Sequence, residues 1–176
     1  MTDADLVKEF RKGNREAFSQ LVERYARPLT TMILKMVRDQ EEAKDISQTT
    51  FLRAYEGLTG FMGISSFKTW LYRIAINAAS DRLRKRGQRI LLDTVDDLIS
   101  TDEPVWQRLD KARHVKRLRE AVEKLPEKQR LTLQLRVYEG MDYKQIAEIL
   151  GGTEGSARGN FFQAIKTLRS RLGFVE

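Results

Sequence analysis

The sequence predicts an all-α chain: two small helical domains joined by an acidic linker, the second ending in a helix-turn-helix. Three observations carry that prediction. Apolar residues recur at spacings of three and four along most of the 176 residues, and strand-like alternation is scarce. Proline is rare, at Pro28, Pro104 and Pro126 only. Charge is uneven: residues 1–90 carry 17 Lys/Arg against 11 Asp/Glu, residues 91–112 carry 2 against 6, and residues 113–176 carry 13 against 8. Two basic lobes around an acidic strip point to two contacts with a polyanion, the plainer alternative being two soluble domains with solvated lysines.

The elements follow in order. Residues 3–12 place Leu6, Val7 and Phe10 on one face. A second helix is predicted over 15–37, with Asn14 as its cap and Phe18, Leu21, Val22, Tyr25, Leu29, Met32, Ile33 and Met36 inward. Pro28 falls inside it, which predicts a kink or a break. Asp39 caps a third helix to about Leu58, with Ala43, Ile46, Phe51, Tyr55 and Leu58 inward. A glycine-containing loop, TGFMGISS, leads to a fourth helix over 67–85, with Phe67, Trp70, Leu71, Ile74 and Ala78 as its stripe. That helix ends in the basic run RLRKRGQR, with Gly87 as its stop.

Residues 91–112 change character. They are acidic, contain Asp-Glu-Pro at 102–104 and show weak periodicity, so they read as a linker between domains 1–90 and 113–176. Helices resume over 112–124, are broken at Leu125-Pro126, and continue over 127–138.

Composition excludes several chemistries. There is no cysteine and the one histidine is His114, so disulfides, thiolate nucleophiles and zinc sites of the usual kind are absent. No phosphate-binding glycine loop with its lysine, no GxSxG and no metal-ligand cluster occurs, which predicts a non-enzyme without a cofactor. The segment MTDADLVKEF is acidic and lacks an apolar run, so it is not expected to be a signal peptide. No stretch of about 18 apolar residues exists, and a cytoplasmic chain without membrane insertion is expected.

The most informative local pattern is EGMDYKQIAEILGGTEGSARGNFFQAIKTLRSRL. Gly140 ends one helix, and Asp142 caps a short second with Tyr143, Ile146, Ala147 and Leu150 as its stripe. Gly151-Gly152 turns the chain, and Thr153 caps a third carrying Ala157, Phe161, Ile165, Leu168 and Leu172 inward. A short helix, a glycine turn and a longer basic helix make a helix-turn-helix, whose second helix enters the major groove by its N-terminal part. Glu154, Ser156, Arg158, Asn160 and Gln163 are the exposed candidates there. Arginine matches guanine and Asn or Gln matches adenine, while Lys166, Arg169 and Arg171 are placed for phosphates.

Two further segments carry a family resemblance. AKDISQTTFLRAY presents Ala43, Asp45, Gln48 and Phe51 in an Ala-x-Asp-x-x-Gln-x-x-Phe pattern. FMGISSFKTWLYRIAINAASDRLRKR presents Ser66, Phe67, Lys68, Thr69, Trp70, Leu71, Arg73, Ile74, Ala75 and Asn77 in the matching core. Together they resemble region two of the extracytoplasmic-function sigma factors, a branch of the sigma-70 family. The C-terminal motif resembles region four through Leu125-Pro126, Arg136, Glu139-Gly140, Tyr143, Ile146-Ala147 and the GTEGSAR turn.

The resemblance implies a sigma factor: a protein that binds core RNA polymerase, recognises −10 and −35 promoter elements and helps melt the duplex. It implies that Asp45, Gln48, Phe51, Leu52 and Tyr55 hold the clamp helices of the largest polymerase subunit. Phe61, Ser65, Phe67, Lys68, Asn77, Arg82, Arg84, Lys85 and Arg86 would serve the −10 element. Aromatic stacking and a basic surface suit a melted strand, and Phe61, beside glycines in a loop, is the better stacking candidate than Phe67 or Trp70, whose spacing favours the core. Arg136, Ser156, Arg158, Gly159, Asn160, Phe162, Gln163 and Lys166 would serve the −35 element, with the flap of the second-largest subunit as a further partner. Gly159 stands where the family often has a small hydroxyl residue, Asn160 where arginine is common, and Gln163 where a basic residue is common. Weaker or differently tuned −35 binding is therefore expected. The resemblance also implies an anti-sigma factor and a monomer.

Two other classes fit parts of the pattern. A dimeric helix-turn-helix regulator leaves SSFKTWLYRIAIN unexplained. A helical adaptor needs neither the aromatic loop nor the basic run 82–89.

Overall fold

The computed structural model describes residues 1–87 and 105–173, with side chains described over 1–87 and 113–173. Every regular element among them is helical: α1 (Asp3–Arg11), α2 (Glu16–Val37), α3 (Gln40–Gly57), a 3₁₀ turn (Leu58–Gly60), α4 (Phe67–Lys85), α5 (Val105–Glu123), α6 (Glu127–Val137), α7 (Tyr143–Leu150) and α8 (Glu154–Leu172). The chain forms two compact units. Helices α1–α4 build the first, while α5, α6, α8 and the first turns of α7 belong to the second.

In the first unit, α2 is the hub and packs against α1, α3 and α4. Its buried side chains, Leu21, Leu29, Met32, Ile33 and Met36, are each no more than 1% exposed. Of the kink or break expected at Pro28, the break does not occur: α2 runs through it as one helix. An interior proline costs a helix about 3 kcal/mol. Pro28 itself faces solvent, while Leu21 before it and Leu29 after it are fully buried, so packing on both sides outweighs that loss. Asn14 caps as predicted, its Oδ1 accepting from Glu16 N at 3.1 Å. Asp39 caps α3 through Glu42 N at 2.8 Å.

α1 begins with a capping box between Thr2 and Asp5 and is tied to α2 where Asp3 accepts from Arg24 and from the Tyr25 hydroxyl. Burial, and then that hydrogen bond, push the Tyr25 phenol well above its ordinary range.

The core faces of α3 and α4 differ from the predicted ones. On α3 the buried positions are Glu42, Ala43, Ile46, Ser47, Thr50 and Ala54, while Phe51 is half-buried and Tyr55 exposed. Small side chains let α2 come close, and Thr30 of α2 donates to Ser47 at 2.8 Å. On α4 the core takes Phe67, Leu71, Tyr72, Ala75, Ile76, Ala79 and Leu83, whereas Trp70, Ile74 and Ala78 are half-buried. Two apolar stripes run along this helix, and the predicted one is its flank.

In the second unit, Ala121, Val122 and Leu125 meet Leu133 of α6 and Ala164 and Leu168 of α8. Helix α5 starts at Val105, about seven residues before the predicted start. Pro104 ahead of it is a start signal that the acidic composition masked. The linker expected at 91–112 lies outside the described residues up to 104. The corner at Leu125-Pro126 is held by Arg130, which is 2% exposed and whose Nη1 donates to the carbonyls of Glu123 (2.8 Å) and Leu125 (3.2 Å).

Candidate functional site

Asp45, Gln48, Leu52 and Tyr55 follow one another at three, four and three residues and share the exposed side of α3. Leu52 is 65% exposed, although no core claims it. The Tyr55 ring makes edge-to-face contacts with Phe10 (5.2 Å) and Phe18 (5.1 Å), which fixes it at the rim. Phe51 stands half-buried at the edge of the same face. The result is a mixed surface, a carboxylate and an amide beside apolar groups, of the kind that meets protein.

The loop after α3 carries the aromatic candidates. The Phe61 ring lies 5.0 Å from Trp70, tilted by 41°, and both rings are half-buried. Trp70 rests on Phe67 (6.0 Å) and crosses Gly57, where a Cβ would come within 3.2 Å of the indole. Phe67 is 3% exposed and packs on Tyr25, so it supports Trp70 from the core and offers no free face to a base. Met62 and Ile64 are 80% and 81% exposed. Ser65 is half-buried, and Ser66 caps α4 by accepting from Thr69 N at 3.1 Å. Lys68 lies with its ammonium 5.4 Å from the Tyr72 ring centre, and Asn77 is exposed.

The basic run at the end of α4 is organised by a residue that sequence reasoning missed. Glu42 is 5% exposed, and its two carboxylate oxygens accept from Arg82 Nε (3.1 Å) and Arg86 Nη1 (3.0 Å). Arg84 pairs with Asp81 at 3.4 Å. Lys85 lines a groove between α3 and α4 together with Asp45, Thr49, Arg53, Asp81 and Arg82. An acid in the first turn of a helix ordinarily reads as a partner of the helix dipole, so nothing local singled out Glu42.

Along the chain, α7, the glycine turn and α8 follow one another in the expected helix-turn-helix order. Asp142 caps α7 through Gln145 N at 2.8 Å, and Gln145 returns the bond to Asp142 N. Gly151 has φ +68°, and Gly152 has φ +156° with Ser156 Oγ only 2.8 Å from where a Cβ would stand. Arg158, Gly159, Phe162, Gln163, Lys166 and Arg169 share the exposed face of α8, and Phe162 is 65% exposed. Asn160 is half-buried at its margin. Ser156, expected to face DNA, is engaged in the capping box: its Oγ accepts from Thr153 N (3.0 Å) and donates to Thr153 O (2.7 Å).

The two candidate arginines here converge on Tyr143, another residue whose role the sequence hid. The Arg136 guanidinium lies 4.8 Å over its ring and donates to Met141 O at 2.8 Å. The Arg158 guanidinium lies 5.4 Å over the same ring and donates to Glu154 at 3.1 Å. Phe161 closes the cluster, its ring 6.0 Å away.

Residues 21–89 match the family model for Sigma-70 region 2, and residues 116–168 match that for Sigma-70, region 4. The chain is 31% identical to the RNA polymerase sigma-H factor of Pseudomonas aeruginosa, over 97% of its own length and 93% of the relative's. It is 30% identical to the ECF RNA polymerase sigma-E factor of Haemophilus influenzae, over 98% of its own length and 96% of the relative's. The chain belongs to the extracytoplasmic-function sigma factors. Among solved structures, CnrH in complex with the cytosolic domain of CnrY shares 26% identity and a TM-score of 0.69, with 99% of each chain covered. RpoE of Bartonella quintana, in complex with the anti-sigma factor NepR, shares the fold at 21% identity and a TM-score of 0.65, over 90% of this chain and 98% of that one.

This sigma factor is a transcription initiation factor: it binds core RNA polymerase and directs it to promoter DNA. Among the described residues no helix is long and apolar enough to cross a membrane, and no cluster of three metal-ligating side chains occurs.

Proposed function

We propose a division of labour between the two units. The exposed face of α3, with Asp45, Gln48, Leu52 and Tyr55, and Phe51 at its edge, docks on the clamp helices of the largest polymerase subunit. The second unit meets the flap of the second-largest subunit and reads the −35 element as duplex through Arg158, Phe162, Gln163 and Lys166. Phe61, Ser65 and Asn77 capture the melted −10 strand, and Lys68 with the run 82–86 follows its backbone. The protein itself catalyses nothing: opening is favoured because the melted strand gains stacking and phosphate contacts that the duplex lacks. It acts in the cytoplasm as a monomer until it joins polymerase.

The observation that carries this division is Leu52, 65% exposed between polar neighbours on a helix with a complete inner face. With Tyr55 on the same face and the half-buried Phe51 at its edge, Leu52 gives a mixed apolar and polar patch, which supports docking on a protein partner. Transcription in vitro tests the whole scheme, with sigma-free core polymerase on pooled fragments of the host genome. Discrete new start sites are expected, and Leu52→Asp should abolish them together with core binding. Core binding without new starts would make the protein an adaptor. Duplex binding without core binding would make it an ordinary regulator.

An anti-sigma factor covers the polymerase-facing surfaces in the resting state. CnrH, which this chain resembles over 99% of its length, was solved in complex with the cytosolic domain of CnrY. A partner from the host that competes with core polymerase is the expected result of a pull-down; capture only of proteins that leave core binding intact would count against it.

A further inference from the structure

The basic run at the end of α4 contains two arginines that do not simply project into solvent. Arg82 and Arg86 lie one turn apart and reach back to the first turn of α3, where Glu42 takes one donor from each. Glu42 is buried, its side chain 4% exposed, whereas the side chains of Arg82 and Arg86 remain 49% and 47% exposed. The atoms used matter. Arg82 gives its Nε at 3.1 Å, which leaves both terminal nitrogens outside that bond. Arg86 gives Nη1 at 3.0 Å, which leaves its Nε and Nη2. Each guanidinium is therefore gripped on an inner edge, and its outer donors stay available to a second anion.

We propose that Glu42 is a positioning residue for promoter DNA: it locks Arg82 and Arg86 side by side so that their outer edges straddle the backbone phosphates of the −10 region. This rests on the assignment of the basic run to the −10 strand made above. Two guanidinium groups at i and i+4 repel each other, and a shared buried carboxylate removes that repulsion while fixing both orientations. A third feature supports the lock. Asp39 caps α3 through the Glu42 backbone N–H at 2.8 Å, so the turn that carries the carboxylate is itself held.

Positioning and simple electrostatics predict opposite signs for the loss of the Glu42 charge. Glu42→Gln raises the net charge by one, and a charge-only account has promoter DNA bound more tightly. Positioning has it bound more weakly. With the reconstituted holoenzyme, Glu42→Gln is expected to raise the promoter Kd about fivefold at constant salt, while core affinity stays within about twofold. In an Arg82→Ala/Arg86→Ala background the same change should have no further effect, because its targets are gone. Unchanged or tighter promoter binding by Glu42→Gln overturns the inference, and so does an equal loss of core affinity, which would confine Glu42 to the fold.

The double alanine variant also separates this inference from its premise. Losing two phosphate contacts on the melted strand should flatten the slope of log K against log salt by about 1.4, at about 0.7 per single-strand phosphate. No change in that slope removes the basic run from DNA, and the inference with it. A flattened slope with a neutral Glu42→Gln leaves the run on DNA and overturns only the role of Glu42. Arg82→Lys/Arg86→Lys covers the case in which Glu42→Gln folds poorly. It keeps both charges and a partner for Glu42 but loses the outer forks, so weaker promoter binding is expected at nearly unchanged core affinity; wild-type promoter affinity overturns the inference.

Discussion

The two units hold their arginines in chemically different ways. In the first, Arg82 and Arg86 share a buried carboxylate, so three formal charges leave a net of one. In the second, Arg136 and Arg158 lie over the Tyr143 ring, which carries no charge, and the one acid paired with them, Glu154 on Arg158, is exposed rather than buried. The surroundings differ in parallel. The first unit exposes Leu52, Met62 and Ile64 beside its polar groups, whereas α8 presents a polar face with Phe162 as its exposed aromatic. Exposed apolar side chains suit a protein surface and unstacked bases, and a tempered charge suits the backbone of a single strand. A basic helix face whose arginine is paired only with an exposed acid suits the phosphates and base edges of duplex DNA.

The largest effect separates arginines that are presented from one that is not. Arg130 is 2% exposed and closes the Leu125-Pro126 corner with two bonds to carbonyls. Arg130→Ala is expected to destabilise the second unit by about 3 kcal/mol, since buried carbonyls lose a charged donor. Urea unfolding followed by circular dichroism measures it. A loss below about 1 kcal/mol would place Arg130 with the presented arginines and blur the contrast.

Next in size is Phe61→Ala, which tests whether the first unit captures bases. Stacking contributes about 1–3 kcal/mol per base, so open-complex formation should fall about tenfold or more while core binding holds. Permanganate footprinting of unpaired thymines reports the opening. Equal losses in opening and core binding would make the Phe61–Trp70 pair a structural brace.

Two capping boxes give a smaller, sharper contrast. Thr153→Ala should cost about 1 kcal/mol at any pH between acid and neutral, because its partner Ser156 does not titrate there. The Thr2 box uses Asp5, whose carboxyl the Thr2 side chain holds below its ordinary value of 3.8. A depressed carboxyl stabilises the fold above its unfolded value, and that contribution fades as pH falls through the folded one. The effect of Thr2→Ala should therefore shrink on acidification below about pH 4, while that of Thr153→Ala persists. Parallel melts across that range decide it, and parallel losses would refute the difference.

Much of this was legible in the sequence, and the exceptions share a cause. Caps, glycine turns and the order of helices are local, so Asn14, Asp39, Asp142 and Thr153 were placed correctly. The α4 core was misassigned because Phe67-Leu71 begins two stripes, and only packing against α2 chooses the one through Tyr72 and Ala79. Glu42 was invisible because its partners lie 40 and 44 residues away. The capping role of Ser156 is hard to read from the sequence because a capping serine and a DNA-facing serine look alike at the start of a helix.

The smallest effect falls on Tyr143 and tests whether the second unit truly orients by a ring rather than by a charge. A cation over an exposed aromatic contributes about 0.5–1 kcal/mol, so Tyr143→Ala should lower transcription from −35-dependent promoters about threefold. Tyr143→Phe keeps the ring and should keep the activity. Promoters whose −35 element has been scrambled supply the comparison, because on them all three proteins should perform alike. Loss in the Phe variant equal to that in the Ala variant would transfer the role to the hydroxyl. The two units would then hold their arginines by the same means, polar groups alone, and the ring would be left as packing for Phe161.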